Sequence, residues 1–85
     1  MAKNNLCYVK DLDSIQLQKI GSRLQELRLQ KNLTQKELAF MLDVEISQIT
    51  RIERGIINTS ILNLIKIVDA LEISMSDFFK DIELK

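Results

Sequence analysis

Histidine is absent from this 85-residue chain, and Cys7 is its only cysteine. Together these exclude an internal disulfide and a Cys/His zinc site. A lone cysteine near the start reads as a reduced, cytoplasmic bystander. Glycine occurs twice and proline never, so no glycine-rich loop is available to cradle a nucleotide phosphate. No apolar run approaches the ~18 residues of a membrane span. The opening M-A-K-N-N-L-C-Y-V-K has a four-residue apolar run and no small-residue cleavage site, so no signal peptide is expected. Without histidine or paired carboxylates on an identifiable pocket, no reaction can be assembled. The chain is expected to be no enzyme and to need no cofactor.

Net charge is missing as well, with 12 basic and 12 acidic residues. That balance counts against a nucleic-acid binder, which usually carries a basic excess. The distribution softens the objection. Residues 1–66 carry ten Lys/Arg against seven Asp/Glu, and residues 67–85 carry two against five. A polarised molecule can turn its positive side to phosphate and its acidic end away. The 46% hydrophobic content suffices for one small core without metal or disulfide staples.

What is present centres on Thr34–Gly55, T-Q-K-E-L-A-F-M-L-D-V-E-I-S-Q-I-T-R-I-E-R-G. Thr34 stands three residues before Glu37, the spacing at which each side chain satisfies the other's free backbone N–H at a helix start. Leu38, Ala39 and Leu42 then share one helical face. A second period, Ile49 and Ile52, follows a break at Leu42–Asp43–Val44. Two short helices joined by a tight turn form a helix-turn-helix, whose second helix suits a DNA major groove. The small Ala39 lets the two axes cross closely. Burial of Ile49 and Ile52 leaves Ile46, Ser47, Thr50, Arg51 and Arg54 facing outward.

The flanks extend the pattern. Residues 1–13 show no sustained period and read as a poorly ordered N-terminal arm, with Leu6–Val9 open to a short strand and Lys3 and Lys10 to phosphate contact. Asp13 or Ser14 can cap a first helix, on which Leu17, Ile20, Leu24 and Leu27 mark the buried face. Gly21 inside that helix costs about 1 kcal/mol of propensity, so a close helix contact is its expected reason. Asn32 fits a left-handed C-cap. Beyond the loop Ile56–Ser60, Ser60 caps a fourth helix with Ile61, Leu64, Ile65, Val68 and Leu71 as its apolar stripe. Ser74 and Asp77 repeat the capping spacing before Phe78 and Phe79. The expectation is five helices and no sheet.

With the segments I-G-S-R-L-Q-E-L-R (20–28), L-T-Q-K-E-L-A (33–39), I-T-R-I-E-R-G (49–55) and S-M-S-D-F-F (74–79) in this order and spacing, the chain resembles the Cro/repressor-type helix-turn-helix regulators. The resemblance covers Ile20 to Phe79 and implies a compact, all-α, five-helix lambda-repressor-like DNA-binding domain, here residues 14–85, with a C-terminal dimerisation segment. It implies that Gln35 contacts a phosphate and braces the recognition helix, and that Ile46 and Ser47 read base edges. Isoleucine can pack on a thymine methyl, serine can donate or accept, and Arg51 can pair with guanine O6 and N7. Arg54, the Ile56 N–H and Asn58 match a region that grips the sugar-phosphate backbone in relatives. Arg28 and Glu53 match a buried salt bridge.

Some positions depart from the family. Asp43 and Glu72 stand where glycine is usual, which puts the second turn's construction in question. Glu45 replaces the usual Ser/Thr cap. Phe40 and Leu62 are apolar where relatives are polar, either enlarging the core or marking a protein-binding patch. The implied function is sequence-specific binding of a palindromic double-stranded DNA operator by a homodimeric, cytoplasmic regulator, a repressor rather than an activator. Phe79, Ile82 and Leu84 are the expected dimer contact. The competing reading is an antitoxin-like protein-interaction module on the same fold, with a protein partner at Phe40.

Overall fold

In the computed structural model, which describes the backbone of residues 2–83 and the side chains of residues 12–83, five helices follow one another with no strand among the described residues. They are α1 (Ala2–Gln30), α2 (Gln35–Leu42), α3 (Ile46–Glu53), α4 (Ile61–Ala70) and α5 (Met75–Phe78). Each of the four later helices starts after a residue in extended conformation, and three of those residues cap through an oxygen. Thr34 and Glu37 form the reciprocal capping box. Ser60 Oγ accepts from the Asn63 N–H and Ser74 Oγ from the Asp77 N–H. Helix α3 is the exception: Glu45 stands at its N-cap without a side-chain cap bond.

Four helices end alike. Asn32, Asp43, Gly55 and Glu72 adopt left-handed backbone, with φ of 60°, 56°, 73° and 59°. The next residue's N–H returns five residues, Leu33 to Arg28, Val44 to Ala39, Ile56 to Arg51 and Ile73 to Val68. This closure satisfies otherwise orphaned helix carbonyls. The second turn is therefore built on the left-handed scheme despite Asp43, and the last turn despite Glu72. Three of the four residues after the left-handed position, Leu33, Val44 and Ile73, pack on the core.

The core joins Leu24 and Leu27 of α1, Leu38 and Ala39 of α2, Ile49 and Ile52 of α3, Leu64, Ile67 and Val68 of α4, and Leu71 and Phe78. Leu17 and Ile20 are half-buried at its margin. Helix α3 packs against α1 and α2, and α4 against α2 and α5. Gly21 sits where α1 meets the end of α3, against the Ile52 and Glu53 carbonyls. Arg23 ties the chain's end to α1, donating to the Phe78 carbonyl (2.8 Å) and the Asp77 carbonyl (2.7 Å).

Three expectations change. Helix α1 begins at Ala2 rather than after a cap at Asp13 or Ser14, and its backbone includes Leu6–Val9, so no strand forms there. Neither proline nor glycine interrupts residues 2–14. Phosphate contact by Lys3 and Lys10 falls outside the described side chains. On α4 the buried set is Leu64, Ile67 and Val68, continued by Leu71, while Ile61 and Ile65 are exposed. Phe79 and Ile82 pack on the core rather than standing free, and Leu84 lies outside the described residues.

Candidate nucleic-acid interface

The interface is built on α3 because its inner face is fully committed. Ile49 and Ile52 hold it to the core, and Glu53 is buried beside Arg28. Arg28 Nε donates to Glu53 Oε2 (2.6 Å) and Nη2 to Oε1 (3.1 Å). Its remaining Nη1 donates to the Leu33 carbonyl (2.7 Å), closing the loop between α1 and α2. Two buried charges among leucines and isoleucines are tolerable because they are paired and hydrogen-bonded.

Helix periodicity then dictates what the outer face presents. Ile46, Ser47, Arg51 and Arg54 are exposed. Arg51 and Arg54 make no ion pair among the described residues, so both guanidinium groups remain available to an anion. Glu45, also exposed, places a carboxylate at the start of this face. Asn58 is exposed in the following loop. Gln48 is half-buried beside α4.

Two of the predicted residues carry an internal role. Gln35, at the first position of α2, is half-buried and donates from Nε2 to Glu53 Oε1 (2.9 Å). Its Oε1 lies 2.8 Å from the Thr50 hydroxyl. Thr50 is half-buried rather than fully outward. The bracing of the recognition helix by Gln35 is thus visible in the geometry, and it runs through Thr50 and Glu53. Sequence spacing could not supply this, because the two partners lie on another helix, 15 and 18 residues on.

The Ile56 N–H is not available for a phosphate: it donates to the Arg51 carbonyl at 2.9 Å. The left-handed Gly55 turns the chain back there, and the closure takes the N–H that an extended loop would have freed. The Ile56 side chain is instead exposed beside the site. Phe40 is 87% exposed, so it does not enlarge the core, and Leu62 is likewise exposed. Glu37 supports the start of α2: the Thr34 backbone N–H and then its hydroxyl hold the Glu37 carboxyl below the usual glutamate range.

Comparison with known proteins agrees with this geometry. Residues 24–78 match the family model HTH_3, described as helix-turn-helix. The chain is 38% identical over 66 residues to control protein C.MunI of Mycoplasma sp, covering 76% of this chain and 89% of that protein. The crystal structure of the restriction-modification controller protein C.AhdI from Aeromonas hydrophila superposes with a TM-score of 0.71 at 41% identity, covering 74% of this chain and 96% of that one. The controller protein C.Esp1396I, solved as a tetramer in complex with its natural 35 base-pair operator, gives a TM-score of 0.70 at 34% identity over 75% of this chain and 84% of that one.

Proposed function

We propose, from the premise that this chain belongs to the HTH_3 helix-turn-helix family, that it binds a specific double-stranded DNA operator as a homodimer and regulates transcription there. The observation that carries this reading is the outer face of α3, where Ile46 and Ser47 stand together with Arg51 and Arg54, which form no ion pair among the described residues, on a helix anchored from behind. Ile46 packs on a thymine methyl, Ser47 exchanges a hydrogen bond with a base edge, and Arg51 pairs with guanine. Arg54, Asn58 and Gln35 grip the backbone and fix register. The protein works by occupancy, without catalysis, in the bacterial cytoplasm, and represses by covering a promoter.

One recognition helix reads only a few base pairs, so affinity requires a second copy. The exposed Ile61, Leu62 and Ile65 at the start of α4 supply an apolar self-contact. Phe79 lines the same groove as Ile61, which joins the C-terminal segment to that surface. Phe40, exposed on α2, favours a second reading in which the same fold also takes a protein partner.

Selection of duplexes from a random pool tests the function. The enriched sequence should be two-fold symmetric, with half-sites ~34 Å apart along the helix. A pool that shows no enrichment, or a single asymmetric half-site bound by a monomer, would refute it.

A further inference from the structure

The buried ion pair does not end at Glu53. Glu53 Oε1, already accepting from Arg28 Nη2, also accepts from Gln35 Nε2 (2.9 Å). A carboxylate accepts only, so the amide nitrogen of Gln35 must face it; the flipped amide would set two oxygens against each other. That fixes Gln35 Oε1 toward Thr50. The Thr50 hydroxyl has a single hydrogen and two acceptors in reach, Gln35 Oε1 at 2.8 Å and the Ile46 carbonyl at 3.1 Å. An oxygen facing Gln35 Oε1 can only be there as a donor. The charge on Glu53 therefore orders the whole chain of bonds, and the Thr50 hydrogen goes to Gln35.

We propose that Thr50 is a positioning residue for the DNA grip rather than a base reader, locking with Glu53 the Gln35 carboxamide so that its second Nε2 hydrogen is presented to a DNA phosphate. This rests on the DNA-binding reading above. That second hydrogen has no partner among the described residues. The locked orientation matters to an anion: the nitrogen end attracts a phosphate oxygen, and the carbonyl end would repel it. Preorganisation also removes the need to order the side chain on binding.

Because the contact is a neutral amide, it releases no counterion, and its loss leaves the salt dependence alone. This separates it from an arginine clamp. Thr50→Val should weaken binding to the selected operator and to random duplex by the same factor, about 3- to 10-fold, the worth of one net hydrogen bond. The salt slope should stay unchanged. Thr50→Ser, which keeps the hydroxyl, should restore wild-type affinity. Added to Gln35→Ala, Thr50→Val should cause no further loss, because both act on one contact. Thr50→Ala removes the same hydroxyl without adding a methyl and should show the same loss, and denaturant midpoints identify any variant that has lost its fold. A loss confined to the operator, with preference relaxed at one base pair, would make Thr50 a reader and overturn the proposal. So would unchanged affinity of both Thr50→Val and Thr50→Ala on a wild-type protein that binds. A wild type that binds neither duplex would instead remove the DNA reading, and this inference with it.

Discussion

Replacing Gly21 with alanine sets two physical effects against each other with opposite signs. Helix propensity alone favours alanine by about 1 kcal/mol in a helix interior. Packing opposes it. A Cβ at position 21 would stand 2.7 Å from the Glu53 carbonyl carbon and closer still to the Ile52 and Glu53 carbonyl oxygens. These are backbone atoms at the end of α3, so no side-chain rotation relieves the overlap. Helix α1 has to move away from α3 by roughly an ångström, to the ~3.5 Å at which such atoms attract. That shift opens Leu24, Ile49 and Ile52, which are 0%, 1% and 3% exposed, and pulls on Glu53 beside Arg28. Overpacking of this kind costs about 1–3 kcal/mol even when side chains can adjust, and here they cannot. After the propensity gain is subtracted, Gly21→Ala should destabilise by about 2 kcal/mol or more, lowering the melting temperature by about 8–16 °C in a domain this small. Thermal and urea unfolding followed by circular dichroism give the answer. A variant as stable as wild type or more stable would mean that α1 and α3 do not meet at Gly21, and would refute the reasoning.

Arg28→Met leaves Glu53 buried without its countercharge and should cost about 3–5 kcal/mol; an unchanged denaturant midpoint would rule the bridge out. Glu72 holds a left-handed φ of 59° that glycine adopts without strain, so Glu72→Gly should stabilise by about 0.5–1 kcal/mol despite glycine's greater chain entropy, read from the same unfolding curves. Glu37, with its folded pKa depressed, favours the folded state above the unfolded glutamate pKa of about 4.3, and that favour fades as pH falls through the folded value. Acidification should therefore loosen the start of α2, seen as an upfield-moving, faster-exchanging Thr34 amide by NMR, because that N–H donates to the Glu37 carboxylate, and Glu37→Gln should abolish the effect.

The starts of α2 and α5 were legible because capping is local: Thr34 with Glu37, and Ser74 with Asp77, state their roles within four residues. Burial of Leu24, Leu38 and Ile49 followed from period and hydrophobicity. The fourth helix was harder. Apolar residues occur at 61, 62, 64, 65, 67, 68 and 71, more than one face can bury, so hydrophobicity alone does not select the inner side. The strict spacing of Leu64, Ile67, Val68 and Leu71 was the available signal. Asp43 and Glu72 concealed two left-handed turns because neither residue type announces that conformation as glycine does. At the site, Ile46, Ser47, Arg51 and Arg54 lie on the face the period assigned them. The link from Gln35 to Thr50 and Glu53 was beyond any local pattern, since it depends on how α2 and α3 cross. The Ile56 N–H was misassigned for a related reason: only the closed turn at Gly55 shows where it goes.

The most direct test of the central claim, that the outer face of α3 reads DNA, compares wild type, Arg51→Ala and Arg54→Ala on the selected operator and on random duplex across a range of salt. Arg51→Ala should lose about 1–3 kcal/mol on the operator, relax preference at one base pair and leave random binding nearly unchanged. Arg54→Ala should weaken both duplexes alike and reduce the salt slope by about 1. Binding that is equal on operator and random duplex, and indifferent to both substitutions, would contradict it.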